Sequence, residues 1–143
     1  MVVVVSDERE VLADLVQGQV LFAVDDRPLL QLYQREVHSL PEADRRRLRR
    51  LQRHYVEEWV HVLTELRPEL TDGVARTLVH AALGAVQSVA TYDGGLPRDE
   101  VVTLLTRTTF VCLGVELPRL IDHGDAAVPG SWGSGRAPPP GYE

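Results

Sequence analysis

The sequence is poor in the residues on which small secreted domains and membrane proteins depend. Among 143 residues there is one cysteine, Cys112, so the chain cannot form an internal disulfide bond. Cys112 stands in an apolar run, where a thiol more often fills core space than acts as a nucleophile. No apolar stretch approaches the ~18 residues of a membrane span, and the N-terminus lacks the basic segment of a signal peptide. We therefore expect a cytoplasmic protein with one core.

Catalytic signatures are also missing. The sequence has no phosphate loop, no nucleophile elbow, no dinucleotide-binding fingerprint and no cysteine–histidine set with zinc spacing. His54, Glu58 and His61 share one helix face, with the spacing of one half of a carboxylate di-metal site. The second half of such a site has no counterpart in the sequence. We therefore predict that the chain is not an enzyme and binds no metal or other cofactor.

Lysine and asparagine are absent, and isoleucine occurs once, at Ile121, a bias that suggests a GC-rich coding sequence. The 15 basic residues are all arginine and stand against 21 acidic residues, which gives a net charge of −6. A net negative charge argues against a protein that works mainly by coating nucleic acid.

The arginines concentrate in residues 41–53, which we call the basic stretch. Its local charge is +4, from two acids and six arginines: Arg45, Arg46, Arg47, Arg49, Arg50 and Arg53. One interpretation is the recognition helix of a helix-turn-helix. The other is a solvated helix face, in which Arg49 and Arg53 pair with Asp44 and Glu57. We favour the solvated face, because a recognition helix is short and this helix continues for about seven turns.

The spacing of apolar residues predicts an all-α fold of five helices and no strand. Ser6 is the expected N-cap of the first helix, which ends near Val24, and Pro28 opens a short second helix. We expect the remaining three helices at about 42–66, 72–92 and 98–117. The second half of the third helix is apolar over too wide an arc for an exposed helix, so it belongs to the core.

The last two helices have more apolar perimeter than one small bundle covers. This excess indicates a self-complementary dimer patch, most simply a four-helix bundle made from two copies, and the alternative is the middle of a monomer core. We place the dimer interface at six residues of these helices: Ala81, Ala85, Ser88, Leu105, Thr109 and Cys112.

Glycine and proline dominate the end of the chain, and no helical period continues there. We therefore divide the chain into a helical domain at residues 1–122 and a disordered tail at 123–143.

Five segments together resemble one known family. They are residues 29–36 (LLQLYQRE), 38–41 (HSLP), 45–60 (RRRLRRLQRHYVEEWV), 67–70 (RPEL) and 79–89 (VHAALGAVQSV). In this order they resemble the C-terminal regulatory domain of tetracycline-repressor (TetR) family transcription factors, over roughly residues 8–117.

The resemblance implies a helical domain that binds a small hydrophobic effector and dimerises through its last two helices, forming a homodimer. Carried onto this chain, the effector pocket comprises seven residues: Tyr33, Tyr55, Trp59, Leu63, His80, Leu83 and Gln87. Members of the family begin with a helix-turn-helix domain of DNA-binding helices, and nothing before Asp7 could form it. DNA would then be bound only through a domain outside this chain.

The resulting hypothesis is the effector-binding and dimerisation domain of a ligand-responsive repressor. The alternative is a headless helical module that dimerises with related regulators and modulates them.

Overall fold

The computed structural model describes residues 7–117, and in this part of the chain every regular element is helical. The predicted all-α architecture with five α-helices is confirmed. The expected tail and the boundary at residue 122 lie outside the described residues. The helices are α1 (Glu8–Asp25), α2 (Arg27–Glu36), α3 (Glu42–Leu66), α4 (Asp72–Gln87) and α5 (Arg98–Leu113).

Helix α1 is the central element, since it packs against each of the other four helices. Leu12, Val16 and Val20 are fully buried along it, and the side chains of Gln17 and Gln19 are buried as well. Its N-cap is Asp7, whose Oδ1 accepts a hydrogen bond from the Arg9 backbone N–H at 3.0 Å. The expected Ser6 cap is therefore wrong by one residue, because aspartate fills the same role.

Helix α3 has the predicted bounds, and its two halves differ in burial. Trp59 and Leu63 in the second half are fully buried, which confirms the expected contribution to the core. In the first half Leu51 remains 43% exposed. Pro41 occupies the N-cap position without a side-chain hydrogen bond, so negative charge in the first turn replaces a cap.

Helices α4 and α5 pack on each other and end earlier than predicted. Helix α4 stops at Gln87 and continues as one 3₁₀ turn, Ser88–Ala90. Helix α5 stops at Leu113, because Gly114 adopts a left-handed conformation with φ of 66°. The Arg67 Nη1 donates to the Leu113 carbonyl at 3.0 Å, and its guanidinium occupies the space that a Cβ on Gly114 would need.

Ion pairs between residues of different helices tie those helices together. Arg98 at the start of α5 binds Asp25 at the end of α1, with nitrogen–oxygen distances of 2.6 and 2.8 Å. This pairing raises the pKa of Arg98. Arg76 of α4 donates to Glu57 of α3, so these two helices are tied across their exposed edge.

Candidate functional site

A cavity of about 270 Å³ lies where four helices meet. Helix α1 contributes Gln19 and α2 contributes Tyr33. The rest of the lining comes from α3 and α4: Gln52, Tyr55, Val56, His80, Leu83, Gly84 and Gln87. None of these lining residues is an aspartate, glutamate or arginine.

Helix α4 supplies one continuous wall of the cavity. His80, Leu83, Gly84 and Gln87 are spaced at i, i+3, i+4 and i+7, so they share one helix face. A Cβ built on Gly84 meets no heavy atom within 4 Å, so Gly84 leaves open space on this wall.

Helix α3 supplies the facing wall, where Tyr55 is held by two neighbours. Its hydroxyl donates to Gln19 Oε1 at 3.1 Å, which joins α3 to α1. Its ring meets Trp59 edge to face, with centroids 6.1 Å apart and planes at 71°. Gln19 is only 1% exposed, so the Tyr55 hydroxyl is fixed from within the core.

Another polar group of the cavity is the Tyr33 hydroxyl on α2. It accepts a hydrogen bond from Gln52 Nε2. Burial raises the pKa of Tyr33, and the hydrogen bond from Gln52 opposes that rise. Tyr33 thus keeps a neutral hydroxyl at the cavity and ties α2 to α3.

Two buried N–H groups near the cavity have no hydrogen-bond acceptor among residues 7–117. They are Gln19 Nε2 and Trp59 Nε1. A buried donor without an acceptor is costly, and such atoms are exceptions in native proteins.

Five of the seven predicted effector-pocket residues line the cavity: Tyr33, Tyr55, His80, Leu83 and Gln87. Trp59 and Leu63 lie in the core behind it, each with 0% exposure. The sequence reasoning missed Gln19, Gln52, Val56 and Gly84. Gln52 and Val56 stand one turn from the aromatic residues of α3, so helical spacing from Tyr55 was a signal that could have found them.

Comparison with protein families gives one match. A model of the tetracycline repressor-like C-terminal domain matches residues 5–110. The chain belongs to this family. No curated protein and no solved structure gives a significant match. Such domains are parts of transcriptional regulators rather than enzymes.

In this tetracycline repressor-like domain, the α5 stripe predicted for dimerisation faces inward. Thr109 has 0% exposure, and its hydroxyl donates to the Leu105 carbonyl at 2.7 Å. Leu105 and Cys112 are half-buried. On α4 the predicted Ala81 and Ser88 are exposed, and Ala85 is half-buried.

The stripe of α5 that faces outward lies one residue earlier. It consists of Leu104, Thr108 and Val111, and Leu104 and Val111 are 47% and 79% exposed. With the exposed residues of α4 these form a surface that we call the outer face: Val74, Thr77, Ala81, Ser88, Leu104, Thr108 and Val111. The Thr77 and Ser88 hydroxyls donate to carbonyls of their own helix, so they need no partner for hydrogen bonding.

The other candidate residues lie apart from the cavity. His54 Nε2 is 3.7 Å from Glu58 Oε1 on an exposed surface, and no group of three metal-ligating side chains is found among residues 7–117. Within the same residues no helix is long and apolar enough to cross a membrane. In the basic stretch the expected partner Glu57 binds Arg76 instead, because α4 approaches α3 there.

Proposed function

We propose that the chain is the effector-binding and dimerisation part of a TetR-type, ligand-responsive repressor. The observation that carries this proposal is the position of α4. One side of this helix lines the cavity, through His80 and Gln87 among others. The adjoining side carries Val74 and Ala81 of the outer face. One rigid helix therefore connects a ligand site to a surface suited to a partner.

The outer face fits a second copy of the same chain. Between Thr77 and Val89 the sequence has no aspartate, glutamate, lysine or arginine, so burial of this part of α4 does not strip water from an ion. Two α4–α5 pairs related by a two-fold axis would form a four-helix bundle in which each copy buries the same surface. The exposed Val111 and Leu104 supply its apolar contact.

Ligand binding would act on the dimer through α4. A ligand that prefers one of two dimer geometries shifts the population toward that geometry, and helix shifts of about 1–2 Å at an interface are enough for such a switch. In a TetR-type regulator DNA is contacted by helix-turn-helix heads, so this shift would change the spacing of the heads. The effector proposed is a small, largely hydrophobic molecule.

Two matched variants of α4 test this coupling. Gly84→Leu places a side chain in the cavity, and Gly73→Leu places the same side chain on the same side of α4, outside the cavity lining. A Cβ at either position meets nothing within 4 Å, so both variants are expected to fold. We expect the dimer dissociation constant, measured by sedimentation equilibrium, to change about fivefold or more in Gly84→Leu and to stay unchanged in Gly73→Leu.

The wild-type chain sets the reference for this test. It should sediment as a dimer at micromolar concentration. A monomer under those conditions contradicts the proposal, as does an equal response of the two glycine variants.

A further inference from the structure

The chemistry of the cavity lining limits the kind of ligand that it can hold. The polar side chains that line the cavity are three glutamine amides, two phenols and the His80 imidazole. We propose that the cavity takes an uncharged ligand that carries a carbonyl or amide group on a flat apolar body. This inference rests on the proposed function, since it names the ligand class of the same site.

An ionised ligand would find no aspartate, glutamate or arginine among the lining residues. Glu57 follows the lining residue Val56 in α3, but it is exposed and bound by Arg76. Arg45 and Arg46 both bind Glu42, at the far end of α3. A charge moved from water into the cavity would lose hydration without a partner of opposite sign.

A neutral carbonyl or amide matches the groups that are present. Amide side chains both donate and accept hydrogen bonds, and while Gln52 Nε2 donates to the Tyr33 hydroxyl, Gln52 Oε1 can accept from a ligand amide. Gln19 also lines the cavity, where its Oε1 accepts from the Tyr55 hydroxyl.

The volume and the walls set the size and shape of the ligand. Binding pockets for drug-sized molecules span about 300–1,000 Å³, so a cavity of about 270 Å³ suits a smaller molecule. The Tyr33 and Tyr55 rings, with Leu83, provide the apolar surface against which a flat body packs.

A series of three probes of nearly equal shape tests the ligand class. Naphthamide is neutral, naphthoate is an anion and naphthylmethylammonium is a cation. Isothermal titration calorimetry on the full chain should give a dissociation constant for naphthamide at least about 30-fold lower than for either ion. Gly84→Leu should abolish naphthamide binding and Gly73→Leu should preserve it, which locates the probe in the cavity.

A second pair of variants changes the charge of the lining. Gln87→Glu introduces a carboxylate into the cavity, whereas Gln34→Glu makes the same change on α2 outside the lining. We expect Gln87→Glu to bind naphthylmethylammonium about tenfold or more tightly than the wild type does, and Gln34→Glu to leave the probe preference unchanged. Circular dichroism confirms that each variant is folded.

The outcomes separate the ligand class from the proposed function. If naphthoate or naphthylmethylammonium binds the wild type as tightly as naphthamide and Gly84→Leu blocks it, the uncharged class is wrong and the effector site stands. If none of the three probes binds at millimolar concentration, both the ligand class and the effector site are contradicted.

Discussion

The basic stretch of α3 and the outer face of α4 and α5 are both open to solvent, and they differ in chemistry. Eight of the 12 residues from Glu42 to Arg53 are charged. From Thr77 to Val89 none is, and in α5 Arg107 is the only charged residue after Glu100. Helix surface that stays in contact with water usually carries charged residues, whereas an exposed helix surface without charged residues is typical of an interface core.

Two arginines of the basic stretch pair within their own helix. Arg45 and Arg46 both bind Glu42, and the hydrogen bond from Arg45 holds the pKa of Glu42 below its usual range. The outer face has internal bonds for the Thr77 and Ser88 hydroxyls but nothing described covers Leu104 or Val111. This difference in chemistry is the reason that we propose a partner for the outer face.

The largest expected effect separates the inner and outer sides of α5. Phe110 is 1% exposed, so Phe110→Ala should lower the free energy of unfolding by about 3–5 kcal/mol. Leu104 is 47% exposed, so Leu104→Ala should cost about 0.5 kcal/mol in the monomer. Urea denaturation at protein concentrations too low for dimerisation measures the loss of stability in both variants. A large loss in the monomer for Leu104→Ala would place that side chain in the core.

The next effect tests the outer face against α3 with two leucines of similar exposure. Leu104→Glu introduces a carboxylate into the proposed dimer interface and should weaken the dimer by about 2 kcal/mol or more. Leu51 is 43% exposed on α3, and Leu51→Glu should leave the dimer intact. Sedimentation equilibrium compares them. Equal dimerisation of both variants would remove the distinction between the two surfaces.

A smaller effect concerns the ion pair that joins α3 to α4. The hydrogen bond from Arg76 lowers the pKa of Glu57 below its ordinary value of 4.5 in the folded protein. Its contribution to stability is therefore complete above that value and is lost as the pH falls through the folded pKa. Glu57→Gln should destabilise the protein near neutral pH, with a difference from the wild type that shrinks in acid.

Urea denaturation across the acid range measures this difference. Glu65→Gln is the control, because Glu65 is exposed on the same helix and makes no ion pair within the described residues. A constant difference for Glu57→Gln at every pH would mean that the ion pair is not its source.

The smallest effect concerns the attachment of the basic stretch to α2. Burial raises the pKa of Tyr33 above its ordinary value of 10.0, so the fold favours the protonated phenol, whose oxygen accepts from Gln52. The stability from this shift is complete below the unfolded pKa and is lost as pH rises through the folded pKa. NMR titration of ring-labelled tyrosine, assigned with Tyr33→Phe, should show late ionisation. Ionisation at the ordinary value would mean that Tyr33 is solvated.

Local sequence signals predicted much of the fold. Helix α3 begins after Pro41 and ends at Leu66 as predicted. The signals for both ends are local in sequence: proline and charged residues at the start, and Arg67-Pro68 directly after the end. The end of α5 was predicted four residues late, although Gly114 was visible in the sequence. The Arg67 guanidinium that packs on Gly114 comes from a distant part of the chain.

The cavity was only partly predictable. Tyr55 and His80 stand out as aromatic or polar residues on apolar stripes, and both line the cavity. Gln19 is polar and carries no sequence signal for burial, yet it is buried because α1 is surrounded by the other helices. Whether a glutamine faces water or a cavity depends on what packs beside its helix.

The sequence by itself determined the helical class, most helix boundaries and the absence of acidic and basic residues between Thr77 and Val89. The tertiary structure decided which side of α5 faces outward. Neighbouring residues point about 100° apart on a helix. Because α5 is apolar on several sides, its sequence allows two outward stripes. One is Leu105, Thr109 and Cys112, and the other lies one residue earlier. Packing against α1 and α4 turned Thr109 inward and left Val111 exposed, because a helix that is apolar all round carries no local signal for its rotation.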